Sequence, residues 1–515
     1  MTAPRVVTEA LGGNALSRAV QEGTVPADWT VARPRGTEGW RAHVAEVRAS
    51  ADAARWHAAL APAFAARGEA ADRLARVVAG NGVVVTTGQQ PGLFGGPMYT
   101  LLKALSALAL ADRLERETGV PTAPVFWAAT DDADFAEASW TAVSDEAGCR
   151  RLEIPRIGPD GMVMAEMPLG NVEGVLASFA EAAASAPHQE VLDALRQAYR
   201  EGQSVGGAYV AFLRDLLEPL GIAVLDAWHP AVRAAARPTL VDALRRAAVL
   251  DEALSMRTVA IERAGFRAQV ARVPRLSLVF ECEAGVKSRV PLARALEAAE
   301  RESATYSANV LLRPVVERNL LPTVAYVAGP GELAYFTQVT AVADALGAPR
   351  PVAVPRWSAT IVEPVTDRRL GRLGLTIGDL RDPHAPERRL GERAVPHDVR
   401  DALEALRREV EARIEALGAA SAAAGALVPD RVVEGARQQL GHRVDRLERR
   451  VRAAARAREA EAVRDLGAVR AALMPEGHRQ ERRLNPMPLL ARHGDLLLQQ
   501  LKAGAALHAG SLVAP

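Results

Sequence analysis

The sequence predicts an α/β protein, an open parallel sheet with inserted connecting subdomains, followed by a C-terminal α-helical coiled coil. Three observations lead there. Short continuous apolar runs end in glycine-rich or acidic turns, helical patterns separate the runs, and no such run follows Glu363. A strand covered by helices on both faces is apolar throughout rather than alternating, which is what these runs show.

The first 80 residues alternate short helical patterns, such as Trp56 to Val77, with charged stretches. Val83 to Thr87 is then a continuous strand run between Asn81-Gly82 and Gly88, and a glycine-rich loop follows. From Pro97, residues Met98, Leu101, Leu102, Leu105 and Leu108 recur at helical spacing, with Gly119 just past the end. Pro124 to Ala129 is the next strand and leads into Asp131, Asp132, Ala133 and Asp134, completing a βαβ unit. Ile222 to Leu225, Val324 to Val327 and Val352 to Val354 are further strands, ending at Asp226, at Gly329-Pro330-Gly331-Glu332 and at Pro355. Strands whose C-terminal ends open onto such loops place a pocket along that edge. Insertions are expected near 140–205 and 255–312, the second with strand-like Val270 to Val273 and Leu276 to Glu283.

The core, with its N-terminal helical segment, is therefore expected over 1–365 and a helical domain over 366–515. Val399, Leu403, Leu406, Val410, Ile414 and Leu417 recur every three or four residues, and Val433, Leu440, Val444, Leu447, Val451 and Ala454 repeat the pattern beyond Pro429. The two segments predict an antiparallel helical hairpin or coiled coil, and its heptads predict a homodimer.

With 63 basic and 62 acidic side chains the net charge is +1, so no whole-molecule field gathers nucleic acid or an anionic membrane. No apolar run approaches the roughly 20 residues of a membrane span. Cys149 and Cys282 form no disulfide framework, and the ten histidines show no H-x-x-x-H spacing. G-x-S-x-G is also missing, so metalloprotease and serine-hydrolase readings drop out and no metal ligands are assigned. A soluble, cytoplasmic protein that binds neither nucleic acid nor membrane is expected. Only Lys103, Lys287 and Lys502 are lysine, all other basic residues being arginine. In so arginine-rich a chain a surviving lysine can mark a place for a compact ammonium that a planar fork cannot replace. Lys502 reads as chance survival.

The chemistry concentrates in three loops. Thr87, Gly88, Gln89, Gln90, Gly92 and Gly95 join a buried strand to a helix start, a setting that suits a nucleotide or another anion, or simply makes a tight turn. Tyr99 and Lys103 lie one helical turn apart on the following helix. Asp131, Asp132 and Asp134 are crowded enough to need a cation or hydrogen-bond donors, so they could bind Mg²⁺, accept protons or hold an ammonium. Gly329, Gly331 and Glu332, after Tyr326 and before Tyr335, place a carboxylate at a helix start, where it could act on a ligand or stabilise the terminus.

Four stretches carry a resemblance: VVVTTGQQPGLFGGPMYTLLKA (83–104), PVFWAATDDADF (124–135), LLRPVVERNLLPTVAYVAGPGELAYFTQ (311–338) and MPEGHRQERRLN (474–485). They resemble the bacillithiol-biosynthesis cysteine-adding enzymes, the BshC family of cysteine ligases. The resemblance implies a Rossmann-like core similar in shape to class I nucleotidyl transferases, a homodimer through the coiled coil, and a reaction joining the carboxylate of cysteine to the amine of glucosaminyl malate. It also implies activation of that carboxylate with ATP, as an acyl adenylate or an acyl phosphate, between which the sequence does not decide, and hence a site for ATP or ADP, for which Mg²⁺ at the acidic turn could be the companion ion. On this chain, Gly88 to Gly96 with Gln89 and Gln90 would cradle substrate or phosphate, and Lys103 would offset developing negative charge. Asp132 and Asp134 would hold or deprotonate the amine, while Glu332 and Tyr326 would line the opposite wall. Family members carry glutamate-aspartate-histidine-aspartate at the acidic turn, where this chain has Ala133 in place of the histidine, and His229 is one candidate substitute. The HIGH and KMSKS signatures are absent. The same residues leave open an amide ligase with another amino acid or acceptor, and a catalytically silent nucleotide-binding scaffold.

Overall fold

The computed structural model describes residues 3–146, 148–184, 186–457 and 460–514. Its central sheet has five parallel strands, β1 (Val83–Gln89), β2 (Thr122–Ala128), β3 (Ala223–Asp226), β4 (Thr323–Ala328) and β5 (Ala353–Pro355). These are the five strands expected from the apolar runs, with ends shifted by one or two residues. Their spatial order is 3-2-1-4-5, that of a Rossmann-like sheet. The chain reverses direction across the sheet between β1 and β4, which opens a crevice beyond the C-terminal ends of those two strands.

Register sets what meets at that crevice. Gln89 pairs with Ala128 and Tyr326 with Thr86, so β1, β2 and β4 end near one level and their loops converge. Gly88 is required there: a Cβ would lie 2.9 Å from the Trp127 carbonyl oxygen. After β1 comes α1 (Tyr99–Thr118), buried on most of its faces and closed by Gly119 in the left-handed region at φ +70. The helix Met487–Val513 packs on α1, and together they extend the main apolar core. Two further helices frame β4, α2 (Arg313–Leu320) before it and α3 (Pro330–Leu346) after it.

The connection from β3 to α2 holds a three-stranded antiparallel sheet, Leu276–Glu283, Val286–Pro291 and Thr305–Ala308. Val270 to Val273 is not a strand, contrary to its apolar pattern. The Gln338 side chain satisfies the Val270 backbone, accepting from its N–H at 3.0 Å and donating to its carbonyl at 2.9 Å, so no neighbouring strand is needed. The sequence also gave no sign that Arg5–Thr8 pairs with Ala359–Val362 in a separate two-stranded sheet.

By its internal contacts the chain forms two compact units. Residues 1–143, 150–361 and 480–515 make the first, which contains the parallel sheet. Residues 144–149 and 362–479 make the second. In the second, helices His397–Ala423 and Asp430–Ala457 form an antiparallel hairpin, where Arg407 reaches Glu448 at 2.8 Å and Asp445 at 2.5 Å. Leu417, Val432, Leu440 and Leu447 remain exposed on these helices. No described helix is long and apolar enough to cross a membrane.

Candidate active site

A cavity of about 910 Å³ occupies the crevice at the C-terminal edge of the sheet. The loops after β1, β2 and β4 line it, together with Lys287 and Arg289 from the antiparallel sheet and Arg482 from the segment preceding the last long helix.

One wall belongs to β1, α1 and β4. Lys103, only 3% exposed, donates to the Gly88 carbonyl at 2.6 Å and to Gln89 Oε1 at 3.1 Å, and it pairs with Glu332 Oε2 at 2.6 Å. Glu332 also accepts from the Tyr326 hydroxyl at 2.6 Å and from the Gly329 N–H at 2.6 Å, capping α3. Arg313 donates to the hydroxyls of Tyr326 and Tyr335 at 3.2 and 3.3 Å and pairs with buried Glu317 at 3.0 Å. Burial alone would raise the Glu332 carboxyl, but Lys103, Tyr326 and Gly329 hold it below its usual range. Burial lowers the Lys103 ammonium, which Glu332 only partly offsets. Arg356, which also lines the cavity, and Glu481 behind it, 2% and 3% exposed, form a bidentate pair at 2.7 Å on both arms. Two fixed N–H donors on one carboxylate make a strong, directional contact.

The other wall follows β2. Asp131 is tied to Lys287, which donates to its carbonyl at 2.7 Å and approaches its carboxylate at 3.6 Å. Asp132 accepts from the Asp134 N–H at 2.9 Å, and Asp134 caps the short helix Phe135–Ala138 through the Glu137 N–H at 3.1 Å. Glu137 accepts from Gln90 Nε2 at 2.5 Å and lies 3.5 Å from the Tyr99 hydroxyl. Burial raises the Asp132 carboxyl, with Asp131 and Asp134 adding to it. Burial also raises Glu137, reinforced by the charges of Asp134 and Asp132. Among the described residues no group of three or more His, Cys, Asp or Glu is arranged to hold a metal ion.

The expected site residues divide into those that reach the cavity and those behind it. Gly88, Gln89, Gln90, Tyr99, Lys103, Asp132, Asp134, Gly329, Gly331 and Glu332 line it. Tyr326 acts one shell further out, through Glu332. Thr87 is buried and donates to the Val327 carbonyl at 2.8 Å, joining β1 to β4. Gly92 and Gly95 turn away from the cavity, and Gly95, at φ +89, lies so close to Phe212 that a Cβ would sit 2.8 Å from its ring. The Gly95 N–H is shared by the Gly92 carbonyl at 3.1 Å and the Tyr199 hydroxyl at 3.2 Å, and the Gly96 N–H reaches Leu93 O at 3.1 Å. These two amides are therefore spoken for, and residues 92–96 are not part of the cavity lining. The arginine side of the cavity fits an anion better. Among the described residues exposed Arg482 makes no ion pair, and Arg289 spends its Nε and Nη2 on the Ser277 carbonyl at 3.0 and 2.6 Å.

Two of the three lysines, Lys103 and Lys287, line the cavity, while Lys502 is exposed on the last helix. No histidine lines it among the described residues, and His229 instead caps the helix Pro230–Arg245, its Nδ1 accepting from the Ala231 N–H at 3.1 Å. Glu137, Arg313 and Arg482 were not singled out from the sequence. Glu137 lies three residues beyond the acidic turn, and Arg313 and Arg482 stand in the resemblance-bearing stretches, which was the available signal.

Residues 37–357 match the family model for the N-terminal Rossmann-like domain of bacillithiol biosynthesis BshC, and residues 359–510 match that for its C-terminal coiled-coil domain. A protein of Solibacter usitatus is 34% identical over 453 residues, covering 85% of each chain. One from Koribacter versatilis is 30% identical over 429 residues, covering 80% of this chain and 79% of its own. Another from Heliobacterium modesticaldum is 32% identical over 371 residues, 67% of each. All three bear the name "Putative cysteine ligase BshC".

Proposed function

The chain belongs to the BshC family of bacillithiol biosynthesis, and from that premise we propose that it is a ligase joining the carboxylate of cysteine to the amine of glucosaminyl malate. One observation supports this most: Asp132, Asp134 and Glu137 crowd one wall of a cavity at the sheet's reversal point. Like charges so placed repel, and an ammonium bound among them relieves that repulsion. An amine-bearing acceptor is thereby favoured on the β2 side, with anionic groups towards Arg482 and Arg289.

Each wall then has its task. Lys103 is saturated by Glu332 and two oxygens, so it ties the β1 loop to the β4 loop and keeps the crevice in shape. The carboxylates of the β2 wall orient the amine and take up its proton. Amide formation from a free carboxylate is uphill in water, and ATP would supply the leaving group that makes it favourable. Arg482 and Arg289 would hold the anionic groups of that nucleotide. We also propose that the helical hairpin pairs two copies of the chain, since Leu417, Leu440 and Leu447 on it are exposed. Light scattering at micromolar concentration would then give twice the 54.7 kDa of one chain.

Mass spectrometry tests the reaction. Protein is incubated with glucosaminyl malate, cysteine, ATP and Mg²⁺, each omitted in turn. The expected product is heavier than the acceptor by one cysteinyl residue and missing when ATP is left out. Its absence, beside an active family member run in parallel, would favour a different amino acid or acceptor, or a silent scaffold.

A further inference from the structure

Forming an amide from an amine and an activated acyl group releases a proton, and a group at the amine must accept it. Among the described residues five carboxylates line the cavity, and their partners separate them. Glu332 is locked to an ammonium, a phenol and an amide, so protonating it would break an ion pair. Asp131 is similarly tied to Lys287. The exposed Asp134 spends an oxygen on capping a helix, and Asp132 spends one on the Asp134 N–H. Glu137 is different. Its two nearest partners, the Gln90 amide and the Tyr99 hydroxyl, are neutral. Like Asp132 and Asp134 it can gain a proton without giving up a cation, but both of its oxygens are aimed by side chains, one by Gln90 and the other by Tyr99.

We propose that Glu137 is the general base of the reaction, aimed by Gln90 and Tyr99, with Asp132 and Asp134 holding the ammonium beside it. The inference rests on the ligase reading above. As the amine nitrogen bonds to the acyl carbon, the bond from that carbon to a phosphate-type leaving group breaks. The leaving group departs with the electron pair. The bound ammonium has by then given one proton to solvent, which frees its electron pair for attack, and the second proton, released as the amide forms, passes to a Glu137 oxygen. The charged and titratable groups that bear on Glu137 are Asp132 and Asp134 from the β2 loop, Tyr99 and Lys103 from α1, and Tyr209 from the helix Val205–Leu217. The two aspartates keep it proton-hungry, and the desolvated wall lets it hold the proton. A carboxylate so placed also answers how a cavity without a histidine could run this chemistry.

Two measurements on the full chain decide the matter. In the ligation assay, Glu137→Gln is expected to lower kcat by roughly 100-fold or more, to change KM for the amine by less than about threefold, and to erase the acidic limb of the pH profile. Asp132→Asn is expected mainly to raise that KM. The second measurement needs no turnover. Calorimetric titration with glucosamine, a primary-amine probe, in two buffers of different ionisation enthalpy at a series of pH values above the ordinary glutamate pKa of about 4.3 reads the protons released on binding. The wild-type chain is expected to release a fraction of a proton as the bound ammonium ionises Glu137, and Glu137→Gln is expected to release less. Unchanged kcat in an active enzyme, or unchanged proton release in the variant, would overturn the assignment. A wild-type chain that makes no amide would instead overturn the ligase reading, with the calorimetry still deciding on Glu137.

Discussion

The two walls of the cavity are both built on carboxylates withdrawn from water, yet they shift in opposite directions. Glu332, on the β4 side, stays ionised below the usual range, whereas Asp132 and Glu137, on the β2 side, are pushed above it. Burial acts on all three in the same sense, so the partners decide. Glu332 receives an ammonium, a phenol and a backbone amide within 2.6 Å. Glu137 receives a side-chain amide and a distant phenol while two aspartates stand near it. One wall thus carries a fixed charge that sets shape, and the other carries carboxylates that take up a proton more readily than usual, which suits chemistry.

The largest effect should come from breaking the fixed wall. Lys103→Met leaves the Glu332 carboxylate largely buried without its cation, and the expected loss is about 3–5 kcal/mol in a urea unfolding curve. A smaller loss, near that of a surface pair, would mean the pair is solvated and the contrast is weaker than argued. Glu332→Gln is expected to cost about as much at neutral pH, with a diagnostic pH dependence. The folded carboxyl titrates below its unfolded value, so its contribution is complete above the unfolded pKa of about 4.3 and fades as pH falls through the folded value. The deficit of the variant should therefore shrink in acid.

The β2 wall should respond with the opposite sign. Asp132 and Glu137 have folded pKa values above the unfolded ones, so the folded state gives up its protons later. Their ionisation is a penalty, absent below the ordinary carboxylate range and complete above the folded values. Asp132→Asn and Glu137→Gln should raise the thermal midpoint at neutral pH by the equivalent of ~0.5 kcal/mol or less, after screening at groups that keep partial contact with water. The gain should vanish near pH 4. Lys502→Arg, exposed on the last helix, should change stability by no more than about 0.5 kcal/mol in either direction.

The sheet was largely legible in the sequence because each of its strands is buried on both faces. Val83–Val85 and Val324–Val327 announce themselves as apolar runs, and the glycine or acidic turns after them mark where a pocket must lie. Strand order was not readable, since nothing local says that β4 returns beside β1. The site was legible loop by loop and not pair by pair. Lys103 and Glu332 were each singled out, but 229 positions separate them and only the parallel pairing of β1 with β4 joins them. Glu137 stayed hidden because its significance comes from Gln90 and Tyr99, which reach it from another loop and helix. The glycine-rich loop shows the converse. Its glycines suggested a ligand, whereas Gly95 is glycine because the Phe212 ring leaves no room for a side chain.

The most direct test of the two-wall account is a carboxyl ¹³C NMR titration of chain labelled at glutamate Cδ, with Glu137→Gln and Glu332→Gln assigning the two signals. The account predicts that Glu137 titrates above the ordinary glutamate value of about 4.3 and Glu332 below it. Coincident midpoints, or Glu332 titrating above Glu137, would contradict it.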